Sequence, residues 1–246
     1  MSEATAPLNA QRRAEVIRQG VSVGVATGLY GVSFGALSVA SGLSILQTQA
    51  LSLLLFSGGS QFAVVGILGA GGSGISAIAT STLLGIRNGL YGLQVARFIQ
   101  ARGWRRLLAA HVTIDESTAV GIAQEEPPAS RLGFWVTGLA VLVGWNLMTL
   151  VGALVGNALG KPQTWGLDAA AAAAFCALLW PRLKARDGRA TAVLAAFIAL
   201  ITIPLVPTGV PVILAASAAV IVGWVSPGRH ETPQADASLP GADPTP

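Results

Sequence analysis

The chain has 246 residues, 52% of them hydrophobic and only 11% charged, with a mean hydropathy of +0.64. A soluble domain carries roughly 25% charged residues, so this composition excludes an ordinary soluble globule and points to a polytopic membrane protein. The net charge of +4 does not indicate nucleic-acid binding, because the basic residues fall in clusters that border apolar segments, as the positive-inside rule expects of cytoplasmic loops.

Residues 1–18 are polar and lack the apolar core and cleavage site of a signal peptide. They are read as a cytoplasmic N-terminal segment ahead of an uncleaved first span. A transmembrane domain is expected over 19–225, and a proline-rich, disordered tail over 226–246. The first span, 20–40, is about 31 Å long as a helix, enough for the hydrocarbon core. Gly20, Gly24 and Gly28 recur every four residues on it, and Gly31 and Gly35 continue the same side. This face is read chiefly as helix packing, with substrate lining at Ser33 and Phe34 as the lesser alternative.

Residues 47–70 are long enough to cross, but Ser57-Gly58-Gly59-Ser60-Gln61 interrupts them, and two adjacent glycines argue against a continuous helix. A glycine-rich turn over 69–74 leads to 75–92, which is apolar yet carries Arg87 and Asn88 among Gly85, Gly89 and Gly92. A basic loop follows at 97–106. Residues 107–126 contain His111, Asp115 and Glu116 and end at Glu125, Glu126, Pro127 and Pro128. A long span over 132–159 holds Trp145 and Asn146, with Gly152, Gly156 and Gly160 at four-residue spacing. Asp168 opens an alanine-rich span over 167–180, where it suits a helix N-terminus. Cys176 lies in this span and is expected to be a buried small hydrophobe. The last spans are 190–203 and 210–225.

Three basic clusters divide the chain, and three apolar segments lie between each successive pair. If all clusters are cytoplasmic, the crossings between them must be even in number, so one segment of each three fails to cross. The interrupted segments 47–70 and 107–126 are the natural candidates. The expected fold is therefore an all-α helical membrane bundle with about six full transmembrane helices. Two broken or re-entrant segments enter it from opposite sides, and both termini are cytoplasmic. Non-helical backbone is allowed at membrane depth where it lines a cavity, and broken helices are typical of transporter midplane sites.

Three polar groups need more than packing to explain them. Ser57, Gly58, Gly59, Ser60 and Gln61 can present free backbone groups and side-chain donors; the alternative is a kinked helix bonded to its neighbours. Arg87 can bind a carboxylate bidentately or pair with Asp115 or Glu116, and helical spacing puts Tyr91 on the Arg87 face beside Asn88. An arginine at that depth costs about 2.5–3.5 kcal/mol on insertion scales, so it needs a cavity or a partner. Thr113, Asp115, Glu116 and Ser117 form the third group. A carboxylate in a half-dry site binds a proton or an ammonium group readily; the alternative is an amphipathic segment with solvated charges. Cationic and anionic groups among aliphatic walls fit a zwitterion such as an apolar amino acid. No residues have metal-site spacing, and no cofactor motif is present.

At these residues the chain resembles the AzlC family of branched-chain amino-acid permeases. Gly31-Val-Ser-Phe-Gly35, Ser57-Gly-Gly-Ser-Gln-Phe62, Arg87-Asn-Gly-Leu-Tyr-Gly92 and Thr113-Ile-Asp-Glu116 look like that family's successive signatures. Gly166-Leu-Asp168 and Leu178-Leu-Trp-Pro181 look like its C-terminal half. The chain departs from the family's asparagine–leucine–arginine–histidine pattern around Arg87. The resemblance implies an exporter of valine, leucine or isoleucine in a bacterial inner membrane, driven by the proton gradient. It also implies a small membrane partner of the AzlD type. A passive channel is the main alternative, and a Ser60–His111 intramembrane hydrolase a remote one.

Overall fold

The computed structural model describes residues 8–158, 176 and 179–225. Among them the secondary structure is helical, without strands. The expected 226–246 tail, Asp168 and most of the 167–180 span lie outside the described residues.

Helix α1 spans Ala10–Ala40 and begins earlier than the apolar run, because the Asn9 side chain accepts a hydrogen bond from the Arg12 backbone N–H at 2.7 Å. Arg12, Arg13 and Arg18 therefore lie on the helix and not in a preceding loop. Helix α1 packs along its length against α7, Pro127–Ala158. By length and composition both are long and apolar enough to cross a membrane.

The α1–α7 seam is built on absent side chains. A Cβ at Gly28 would sit 3.0 Å from the backbone of Gly144, and one at Gly31 only 2.7 Å from the Trp145 carbonyl oxygen. At Gly35 it would collide with the Thr149 carbonyl, and at Gly152 with that of Val32. The register rises together, Gly20 beside Thr137 and Ala36 beside Gly156, so the two helices run parallel. Meanwhile Val21, Val25 and Leu29 of α1, and Leu139, Val143 and Leu147 of α7, are exposed. Small residues inside and large aliphatics outside invert the soluble pattern, and they suit a hydrocarbon solvent that provides no drive to bury leucine. The same logic corrects one expectation: Cys176 is exposed, since apolar surroundings in such a chain do not imply burial in protein.

Between α1 and α7 the chain makes two hairpins and one traverse. Helix α2 (Ile45–Leu54) and α3 (Gly58–Gly69) are separated by the expected interruption. Gly42, at φ +93°, turns the chain out of α1, and the Ser44–Gln47 capping box starts α2. The end of α3 returns to where the hairpin began, since a Cβ on Gly69 would lie 2.7 Å from Ser41 Oγ. Helix α4, Gly74–Val95, then runs about 33 Å toward the other end of the bundle. There Phe98 lies against Phe134, and Arg131 donates to the Phe98 carbonyl at 2.7 Å.

Helices α5 (Trp104–His111) and α6 (Asp115–Ile122) form the second hairpin, interrupted at 112–114. The basic loop is thus shorter than expected, with Arg105 and Arg106 on α5. Val112 packs at Gly138, Val120 at Gly133, and Gln124 reaches back to Arg12, so this hairpin opens at the α1 N-terminal end. The first hairpin opens at the α1 C-terminal end. Pro127 and Pro128 begin α7, where a missing N–H costs nothing. After a 3-10 turn at Trp180–Lys184 come α8 (Arg186–Thr202), α9 (Val210–Ala215) and α10 (Ser217–Val225). Gly209 meets Ser76 at the start of α4.

Replacing Gly35 or Gly152 by leucine forces the seam apart, an overpacking penalty of about 1–3 kcal/mol or more. The expected result is loss of monodisperse, membrane-extracted protein by size-exclusion chromatography. Val25→Leu, on the outer face, should leave the yield unchanged.

Candidate functional site

The two interruptions meet tip to tip. Phe56, in the first, stacks on His111 at the end of α5, with ring centroids 5.5 Å apart. Between the tips lies a cavity of about 70 Å³ that opens among α1, α3, α4, α6 and α7. Its polar lining comes from Thr27, Tyr30, Ser57, Arg87, Asp115 and Glu116, together with the backbone at Gly58 and Gly59. Phe56, Phe62, Ile114, Val141 and Trp145 supply the apolar walls.

Each break is held by a side chain that takes up freed backbone groups. At the first, the buried Gln61 amide donates to the carbonyls of Ser52 (3.2 Å) and Leu55 (2.8 Å), and its oxygen accepts from the Trp145 indole N–H (2.9 Å). At the second, Ser117 Oγ donates to the Val112 carbonyl at 2.6 Å and accepts from the Ile114 N–H at 3.1 Å. Thr113 closes α5 by donating to the Ala109 carbonyl at 2.7 Å.

Helices α3 and α6 both begin at the cavity, and no side chain caps α3: Ser57 makes no such bond. The first N–H groups of a helix have no partner within it and carry the positive end of its dipole, so the start of α3 presents donors to the cavity. Arg87 adds a full positive charge from α4. Its Nη1 lies 3.0 Å from Asp115 Oδ2, and its Nη2 lies 3.0 Å from where a Gly59 Cβ would stand. Gly59 is what lets the guanidinium reach the α3 N-terminus. Glu116 sits beside Asp115, with the Thr27 hydroxyl in hydrogen-bonding reach. Tyr30 Oη, Ser57 Oγ and Arg87 Nε are buried without a hydrogen-bond partner, so the site holds unused polar capacity.

Of the residues singled out in the sequence, Ser57, Gly58, Gly59, Arg87, Asp115 and Glu116 come together on this cavity. Ser60, Gln61, Asn88, Tyr91, Thr113 and Ser117 are not among its lining residues. Ser60 donates to the Ser81 carbonyl at 3.0 Å, joining α3 to α4, and Gln61 holds the break. Asn88 and Tyr91 lie on α4 away from the cavity, with Asn88 Oδ1 buried and unpartnered. No hydrogen bond joins Ser60 to His111 among the described residues. Sequence reasoning missed Thr27, Tyr30, Phe62 and Trp145. Tyr30, one of two tyrosines in the chain and set among the α1 glycines, was the available signal. Phe34 stacks on Trp145 and is buried, so it packs the seam.

Exposed aliphatics, glycine-seamed helices and two hairpins meeting over a charged cavity fit an integral membrane protein with a transport-related role. The family profile described as AzlC protein matches residues 22–159, more than half of the chain, and the chain belongs to this family. An uncharacterized membrane protein of Archaeoglobus fulgidus is 32% identical over 195 residues, covering 78% of this chain and 85% of the relative. Another, from Helicobacter pylori, is 27% identical over 182 residues, covering 73% and 79% respectively. No solved structure matches the chain.

Gln61→Leu should leave the Trp145 N–H and the Ser52 carbonyl without their partner, at about 1–3 kcal/mol for each, while the Leu55 carbonyl keeps the Ser57 N–H. A lower unfolding midpoint in detergent, with altered tryptophan emission, is the expected result. Unchanged values would mean that the break is held by other contacts.

Proposed function

We propose that this chain is the large subunit of a secondary transporter that exports neutral aliphatic amino acids of the branched-chain type. The observation that carries this reading is the central cavity, where an uncapped helix N-terminus, an arginine, two carboxylates and aromatic walls converge. A substrate carboxylate is taken by the N–H groups at Gly58 and Gly59 with Arg87. The ammonium group is taken by Asp115 and Glu116, and the aliphatic side chain lies against Phe62, Val141 and Trp145. In the unloaded site Asp115 occupies Arg87, so a zwitterion enters by exchanging one ion pair for two.

Pockets for drug-sized ligands run to roughly 300–1,000 Å³, whereas this cavity is about 70 Å³. An amino acid therefore requires the hairpin tips to part. In the proposed cycle the two hairpins are re-entrant from opposite membrane faces and part alternately, which exposes the site to each side in turn. Export is coupled to the proton gradient through Asp115 or Glu116. The working unit includes a small AzlD-type membrane subunit. The protein sits in a bacterial inner membrane with both termini cytoplasmic, the basic ends of α1, α4 and α5 being on that side.

The test is efflux of labelled valine from cells preloaded with a valine dipeptide, with the chain expressed alone and with its small partner. Efflux that needs the partner and falls at least about tenfold in Arg87→Ala and Asp115→Asn, with both variants inserted, is the expected result; tenfold corresponds to about 1.4 kcal/mol. Flux that never runs against a gradient would indicate a channel. No efflux of any aliphatic amino acid would overturn the substrate assignment.

A further inference from the structure

At the α1 N-terminal end, away from the central cavity, α5 and the start of α7 enclose an open groove of about 680 Å³. Three arginines line it, Arg102 from the basic loop before α5, Arg105 from α5 and Arg131 from α7, together with Trp104, Trp135 and Leu108. None of these arginines makes an ion pair among the described residues, where the ion pairs are Arg12–Glu15 and Arg87–Asp115. Glu125 and Glu126 follow α6 in sequence and are not paired with them either. Arg131 spends its Nε on the Phe98 carbonyl, which leaves its terminal nitrogens for a ligand. Arg105 lies over the Trp104 ring at 5.8 Å, a contact that holds the guanidinium beside the groove.

The surroundings decide what kind of anion fits. Trp104 is 68% exposed and Leu107 75% exposed, on a helix whose other exposed residues are Arg105, Arg106 and Ala110. Tryptophan beside arginine is the pattern of the headgroup level of a bilayer, with leucine one turn deeper toward the acyl chains. Basic pockets between helices on the cytoplasmic side suit phosphate headgroups. A small soluble anion would use the arginines alone, whereas a phospholipid uses the arginines and the apolar Trp104–Leu107 flank together.

We propose that this groove binds an anionic phospholipid, its phosphate held by Arg102, Arg105 and Arg131 and its acyl chains running along the Trp104–Leu107 side of α5. The proposal rests on the membrane reading but not on the substrate assigned above. Because α5 is the outer arm of the second hairpin, the bound lipid braces the hairpin whose other arm carries Asp115 and Glu116.

The experiment uses the purified full chain in neutral detergent. Dioleoylphosphatidylglycerol, dioleoylphosphatidylcholine, glycerol 3-phosphate and inorganic phosphate are added separately, and adducts are read by native mass spectrometry alongside the unfolding midpoint. Wild type should retain phosphatidylglycerol and gain midpoint, with little response to the other three. Arg102→Gln/Arg105→Gln, which leaves the Arg131–Phe98 bond intact, should weaken retention at least about tenfold, since it removes two of the three cations that hold the phosphate. A control, Arg13→Gln/Arg18→Gln, removes the same charge from exposed positions on α1 and should bind as wild type. Equal loss in the control, no loss in the groove variant, or an equal response to glycerol 3-phosphate would each overturn the lipid site. Recovery of the chain from the aqueous fraction without detergent would overturn the membrane reading with it. Failure of valine efflux leaves the lipid measurement intact and is thereby distinguished.

Discussion

Backbone in hydrocarbon must have its polar groups satisfied, and the two helix breaks at the centre of this bundle exist only because that requirement is met locally. Gln61 and Ser117 meet it by different chemistry. Gln61 bridges across the break from α3 to the end of α2 and is itself fixed by Trp145. Ser117 folds back onto the two residues that flank its own break. Because these side chains satisfy the break, the N–H groups at the start of α3 are left for the cavity. The site is in this sense a by-product of how the breaks are held.

The rest of the fold serves to bring the two breaks to the same depth. A parallel α1–α7 pair can be this close only where glycine faces backbone, and it forms the rigid wall that both hairpins lean on. Gly31 and Trp145 meet at the level of the cavity, so the seam and the site share residues. Helix α4 is the other wall. It carries Arg87 to a point between the hairpin tips, where Gly59 and Asp115 approach it from opposite sides. A charge that would be costly in lipid is thus matched by one carboxylate and one helix terminus.

Much of this was legible in the sequence because the chemistry involved is rare in apolar segments. Paired glycines at 58–59 and paired carboxylates at 115–116 stand out, and each marks a helix start. The four-residue glycine spacing likewise read correctly as a packing face. Roles that depend on direction were harder. Ser60 and Gln61 look like ligand donors, yet both are turned to backbone carbonyls, and nothing in a linear pattern tells a donor for substrate from a donor for its own fold. Tyr91 shares a helix face with Arg87 by spacing, but the guanidinium reaches the cavity by its length, and the tyrosine does not follow. The aromatic walls were missed for a related reason: Phe62 and Trp145 at helical spacing look the same whether they pack a seam or line a pocket.

The central claim is that the two hairpins enter from opposite faces and meet in the middle. It is tested most directly by labelling single cysteines in a Cys176→Ser background with a membrane-impermeant thiol reagent, in intact cells and in inverted vesicles. Ala70→Cys, at the open end of the first hairpin, should label only from outside the cell, and Ala123→Cys, at the open end of the second, only from the cytoplasmic side. Labelling of both positions from the same side would contradict the account, because a site between the tips would then have no second face to open toward.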